Sequence, residues 1–181
     1  MKKITLTLFG FVLILTAHAQ NYVSLGPTLS QGNKRFPIHA KTGIGLGLSG
    51  YLELHRSGGL RGSIAYDFFH QRSFKNSPDT LRTLGYHGSN LSFIPLKVGY
   101  QQFLFRKELF VFSSIGISFL QSKSMYLLTP RRLAYDFGAG YNIRLSRSRM
   151  LEVSSHYNFN HTGRYTVSDN YLTVRVGYVF K

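Results

Sequence analysis

Eight charged side chains pose the first chemical question in this 181-residue sequence: Glu53, Arg61, Asp67, Lys97, Asp136, Arg144, Glu152 and Arg175. They are four acids and four bases, each on the polar side of an alternating apolar/polar run, among Gly, Ser and Asn. A set without net charge is what an enclosed polar interior demands, because a buried ion without a partner costs several kcal/mol. A solvated surface has no such need and would carry more lysine and glutamate. These residues are expected to form a structural, self-neutralising network that locks strand register, in preference to a proton or ion path.

Catalysis is harder to assemble. A lipid deacylase of the Ser–His kind needs His and Ser two residues apart near the end of a strand, with a carboxylate to orient the imidazole. His161 stands on the apolar side of such a strand end, but two residues on is Gly163; Thr162 points the wrong way, and Asp169 is the only local acid. His156 falls on the polar side. His39, His70 and His87 are scattered without ligand spacing. No catalytic, cofactor-binding or metal-binding residue is assigned, no cofactor is expected, and the deacylase remains an alternative.

The elements that position the charges are strands. Apolar residues recur with period two almost throughout. Eight segments of the length that crosses a thin membrane at a tilt can be placed: 21–29, 43–55, 60–70, 91–101, 109–120, 133–144, 151–160 and 171–180. In the last, Leu172, Val174, Val176, Tyr178 and Phe180 alternate with Thr173, Arg175 and Gly177. Short connections at 56–59, 102–108 and 146–150 alternate with long polar ones at 30–42, 71–89, 121–132 and 161–170, the pattern of bacterial outer-membrane barrels. The fold expected is all-β, an eight-stranded antiparallel up-and-down transmembrane barrel. A soluble lipocalin-like carrier shares the alternation with its greasy face inside and stays open as an alternative.

Aromatic residues agree with the membrane reading. Phe68, Phe119, Tyr135 and Phe159 fall near one rim of the apolar face and Tyr100, Tyr178 and Phe180 near the other, as two interfacial girdles do. Phe93, Phe110 and Phe112 fall on the polar face, a misfit unless they fill part of the interior. Pro95, unable to donate a ladder bond, is expected to mark a bulge or bend. Eight strands leave an interior that side chains fill, so general diffusion is not expected.

Lys2 and Lys3 precede an apolar run, and Ala17-His18-Ala19 supplies the small residues of a cleavage site, so 1–19 reads as a signal peptide and 20–181 as the barrel domain. There is no cysteine, hence neither disulfide nor lipid-anchored cysteine. The formal charge of +15 becomes +13 once the two leader lysines are gone. With a neutral interior set, the excess belongs to loops and rims. Lys34, Arg35, Arg72, Lys75, Lys123 and Arg131 are the candidate contacts to lipopolysaccharide phosphates; Lys41, Arg82, Arg132 and Arg164 lie in the same loops. Nucleic acid is not an expected partner, since no nucleic-acid-binding motif accompanies the charge. Apolar loop residues such as Phe36-Pro37-Ile38 and Met125 to Leu128 suit contact with an unidentified envelope protein.

Ser92 to Tyr100, Tyr135 to Gly140, Tyr157-Asn158 and the closing Val176 to Lys181 resemble the small outer membrane protein β-barrel family called PorT-like, and more distantly OmpX and the OmpA barrel. The penultimate aromatic Phe180 resembles the closing strand that the barrel assembly machinery reads, with Lys181 as a departure. The resemblance implies residence in the outer membrane of a Gram-negative bacterium, and no single activity. A structural or interaction role in the envelope, at the lipopolysaccharide surface or as an accessory of an envelope or secretion assembly, is the expected function.

Overall fold

The computed structural model describes residues 22–32, 42–70, 91–105, 108–122, 131–146, 149–161 and 168–180. The strands are β1 (Tyr22–Gly32), β2 (Thr42–His55), β3 (Gly58–Phe69), β4 (Leu91–Phe105), β5 (Leu109–Ser122), β6 (Arg131–Arg144), β7 (Met150–His161) and β8 (Ser168–Phe180). Each pairs antiparallel with the next, and β1 pairs with β8, so the sheet closes on itself. Among the described residues there is no helix. Every strand runs longer than its apolar stretch alone suggested, most of all β4, which continues from Gln101 to Phe105. The signal-peptide segment lies outside the described residues.

Which side of each residue faces in follows from the two-residue period. On β8, Tyr171, Thr173, Arg175, Gly177 and Val179 are buried while Leu172, Val174, Val176 and Phe180 are exposed. The same holds around the ring: Leu29, Ile44, Leu46, Val98, Ile115 and Phe137 are each more than half exposed, while Arg61, Asp67, Gln101, Asp136 and Glu152 are buried. This inverts a water-soluble barrel. An apolar belt of this extent is far beyond what a water-facing surface carries, and it is the outer wall of a membrane-spanning barrel. The order found is therefore an eight-stranded, up-and-down transmembrane barrel, with greasy side chains out and polar ones in.

Two ends can be told apart. The turn end carries the tight connections β2–β3, β4–β5 and β6–β7, with a register shift at Glu53/His55 and another at Phe103/Phe105. The loop end carries the long ones. Pro95 lies inward on β4, and pairing with β3 lapses beside it, yet Ile64 opposite Leu96 and Asp67 opposite Phe93 keep one register. The missing N–H thus interrupts the ladder without the expected bulge.

Candidate functional site in the barrel lumen

The lumen is built as three layers. At the turn end Tyr22, Tyr51, Phe103, Phe110, Phe112, Met150 and Val179 form an apolar plug. At the loop end Phe69, Phe93 and Tyr171 form a smaller one, their rings 5.2 to 5.9 Å apart. Between them lies a polar middle. Phe93, Phe110 and Phe112 therefore do face inward and are buried. Glycine makes their room: Phe110 sits opposite Gly140 and Phe112 opposite Gly138 on β6, where a Cβ would fall against the rings. The lumen is filled, with its ion clusters in the middle and buried polar residues such as Arg132 and Asn160 at the loop end.

The middle holds two ion clusters. In one, Arg61 and Arg175 both donate to Glu152 Oε1, at 3.3 and 2.7 Å. Arg61 also donates to Gln101 Oε1 (2.6 Å), whose amide donates to the Tyr22 hydroxyl (2.8 Å), and its guanidinium lies 4.3 Å from the Phe112 ring centre. Arg175 reaches Ser24 and Ser49 as well. In the other cluster Lys97 donates to the Asp136 carboxylate and to Asn158 Oδ1 at 2.7 Å. Asp67 accepts from the Thr28 and Tyr171 hydroxyls at 3.0 and 3.2 Å. A cavity of about 30 Å³ lies between the clusters, lined by Asp67, Lys97, Asp136, His156 and Arg175 among others. It has room for one or two waters and for no substrate.

The structure brings together Arg61, Asp67, Lys97, Asp136, Glu152 and Arg175, all buried. Glu53 is half-buried near the β2–β3 turn. Arg144 shares the inward parity but closes β6 beyond the turn-end plug, where it is exposed; it is not part of the lumen network. Of the candidate lipopolysaccharide contacts, Arg131 is exposed at the loop end of β6, and Lys34, Arg35, Arg72, Lys75 and Lys123 lie outside the described residues. Arg132 is not a loop cation: it is buried on the inner wall, its guanidinium 6.0 Å from the Phe93 ring centre.

Sequence reasoning also missed a Ser–His–carboxylate arrangement. Ser154 Oγ lies 2.9 Å from His156 Nε2, and His156 Nδ1 lies 3.6 Å from Asp136 Oδ2. The signal is present as Ser154-x-His156 on inward positions of β7, the opposite face from His161. His161 itself is exposed at the end of β7. All three buried members sit between the two plugs, so the arrangement ties β6 to β7 and has no room for an acyl chain. No group of His and acids gathers as a metal site among the described residues.

No family model and no curated protein matches the chain. Among solved structures it is similar to Ail, the attachment invasion locus protein of Yersinia pestis, with 17% identity and a TM-score of 0.56, over 88% of this chain and 97% of Ail. A second structure of Ail, in complex with the heparin analogue sucrose octasulfate, gives 17% identity, a TM-score of 0.54 and the same coverage. Neisserial surface protein A gives 11% identity and a TM-score of 0.47, over 88% of this chain and 94% of that one. At such identities the likeness is one of fold. The two Ail structures share the small closed barrel fold with this chain, and the PorT-like resemblance is without a match.

Proposed function

We propose that this chain is an integral barrel of a Gram-negative outer membrane, delivered by its leader and the assembly machinery, with a structural or interaction role at the lipopolysaccharide surface. The observation that carries the reading is the closed lumen inside an apolar outer wall. A barrel plugged at both ends by buried rings and held by paired ions between them offers neither a diffusion route nor a ligand chamber. What remains for contact is the outer wall and the loop end, where the sequence concentrates cations. Phosphates of lipopolysaccharide are the anions at hand there, and each nearby Lys or Arg contributes about 1 kcal/mol to such contact. An accessory role beside another envelope protein, in the manner of PorT-like proteins, is the second form of the same reading. Catalysis is not part of it, since the buried Ser154–His156–Asp136 arrangement serves the lumen.

The test is purification from lipopolysaccharide-producing cells, with outer-membrane fractionation and the mobility shift between unboiled and boiled protein as the folding check. Lipopolysaccharide per barrel is expected to fall several-fold when Lys34, Arg35, Arg72, Lys75 and Lys123 are replaced by Ser. A sulfated sugar such as the one bound by Ail is the competitor that separates phosphate contact from general anion binding. Unchanged lipopolysaccharide on a folded variant would rule the loop contact out.

A further inference from the structure

The outer wall is not uniform. Leu, Ile and Val make up most of it, but β6 and β7 place four aromatic residues in two successive cross-strand rows, Tyr135 opposite Phe159 and Phe137 opposite Tyr157. Tyr135 and Phe159 stack at 4.6 Å with 10° between planes, Phe137 and Tyr157 at 5.8 Å, and Tyr157 and Phe159 meet edge-on at 4.7 Å. Above this wall, at the loop end, Arg131 and His161 are both exposed on the same outward face, with Leu133 opposite His161. Below it the row Ala139 opposite Ser155 carries small side chains. To one side, Asn170 on β8 lies opposite Phe159.

The geometry points to a binding site on this wall for one lipid A-type glycolipid, its phosphate at Arg131 and His161 and an acyl chain along Tyr135, Phe159, Phe137 and Tyr157. The inference deepens the proposed lipopolysaccharide contact and rests on it. Three features select the ligand. Arg131 stands one outward row beyond Leu133, the residue opposite His161, and a guanidinium and an imidazole in successive rows can share a phosphate, the Arg fork engaging two oxygens at once. The distance from Arg131 down to Phe137 is six residues, roughly 20 Å along a strand and about 15 Å in depth at the usual tilt, close to one leaflet of hydrocarbon. Rigid rings there give an acyl chain a broad contact surface at little cost in side-chain freedom. Lipid A, in preference to a phospholipid, follows from the proposed setting of the loop end at the lipopolysaccharide surface.

The test uses the full chain in micelles and native mass spectrometry, with diphosphoryl lipid A and phosphatidylglycerol as separate probes. The expected result is one retained lipid A per barrel, with phosphatidylglycerol retained poorly. Arg131→Ala with His161→Ala should lower retained lipid A about tenfold. Tyr135→Leu with Phe159→Leu should lower it several-fold while keeping the wall apolar, with the mobility shift verifying the fold. Retention by the Arg131/His161 variant equal to wild type, or phosphatidylglycerol held as well as lipid A, would overturn the site. If that variant keeps lipid A while the five-residue loop variant loses it, this wall is not the site and the lipopolysaccharide contact stands. If the wild-type barrel keeps none, both readings fall.

Discussion

The inner and outer walls of this barrel are built from alternate residues of the same strands, yet they place opposite demands on sequence. Arg61, Glu152 and Arg175 come from β3, β7 and β8 and share one carboxylate oxygen, so each is defined by the other two. Their outward neighbours Leu60, Val153 and Val176 need only be apolar, because lipid adapts its shape to whatever it meets. The inner wall is a set of specific partnerships; the outer wall is a solvent preference. Substitutions can separate the two demands, since equal chemical changes should cost unequal amounts on the two sides.

The largest loss is expected from Glu152→Ala, which leaves two arginines facing each other in a sealed interior. Removing one member of a buried ion cluster costs about 3 to 5 kcal/mol, to be read from urea titrations of the barrel in lipid vesicles, scored by the mobility of unboiled protein. Replacing all three, with Arg61→Met, Glu152→Leu and Arg175→Met, should recover much of that stability. A triple variant no better than Glu152→Ala would show that the ions do more than neutralise one another. On the outer wall, Ile115→Arg places a charge at a mid-strand position of β5 that is 56% exposed. Facing lipid, it should cost about 2 to 4 kcal/mol in the same titration. A change under about 0.5 kcal/mol, as for an ordinary surface residue, would mean that this wall faces water.

A smaller loss is expected from Gly140→Ala. The added methyl would fall against the Phe110 ring and the Ser154 side chain, both enclosed by the barrel, so the plug must shift. Overpacking of this kind costs about 1 to 3 kcal/mol. Phe110→Leu in the same chain should return part of it, a coupling measurable by a double-mutant cycle.

The outer wall and the strand order were legible because period two records which solvent each residue meets, and six of the eight interior charges were legible for the same reason. Their pairing was not. Nothing in the spacing of Arg61, Glu152 and Arg175 says that they share an oxygen, because pairing across the lumen depends on the stagger with which the ring closes. Arg144 and Arg132 went astray at strand ends, where parity persists but depth decides: Arg144 has run past the plug into exposure, and Arg132 is drawn inside by two further residues of β6. Phe110 and Phe112 read as misfits because their complement, Gly140 and Gly138, lies on the neighbouring strand, and the absence of a side chain leaves no apolar signature. Ser154 and His156 were visible as a spacing, but only the Asp136 carboxylate on the facing strand makes them a group.

The smallest effect should come from the counterpart of the plug glycine on the other side of the sheet. Gly50 and Gly62 face each other across β2 and β3, and a Cβ on either would have nothing within 4 Å. Gly50→Ala therefore adds a methyl that meets only lipid, while restricting the unfolded chain. Where the backbone accepts it, that restriction stabilises by about 0.4 to 1 kcal/mol. The expected outcome is a barrel equal to or slightly firmer than the parent, against a loss from the same substitution at Gly140. Combined, the two changes should add, since the sites share no neighbour. A loss at Gly50 as large as at Gly140 would show that part of the outer wall is packed as tightly as the lumen, and the Gly50/Gly62 notch would then be where a partner surface is to be sought.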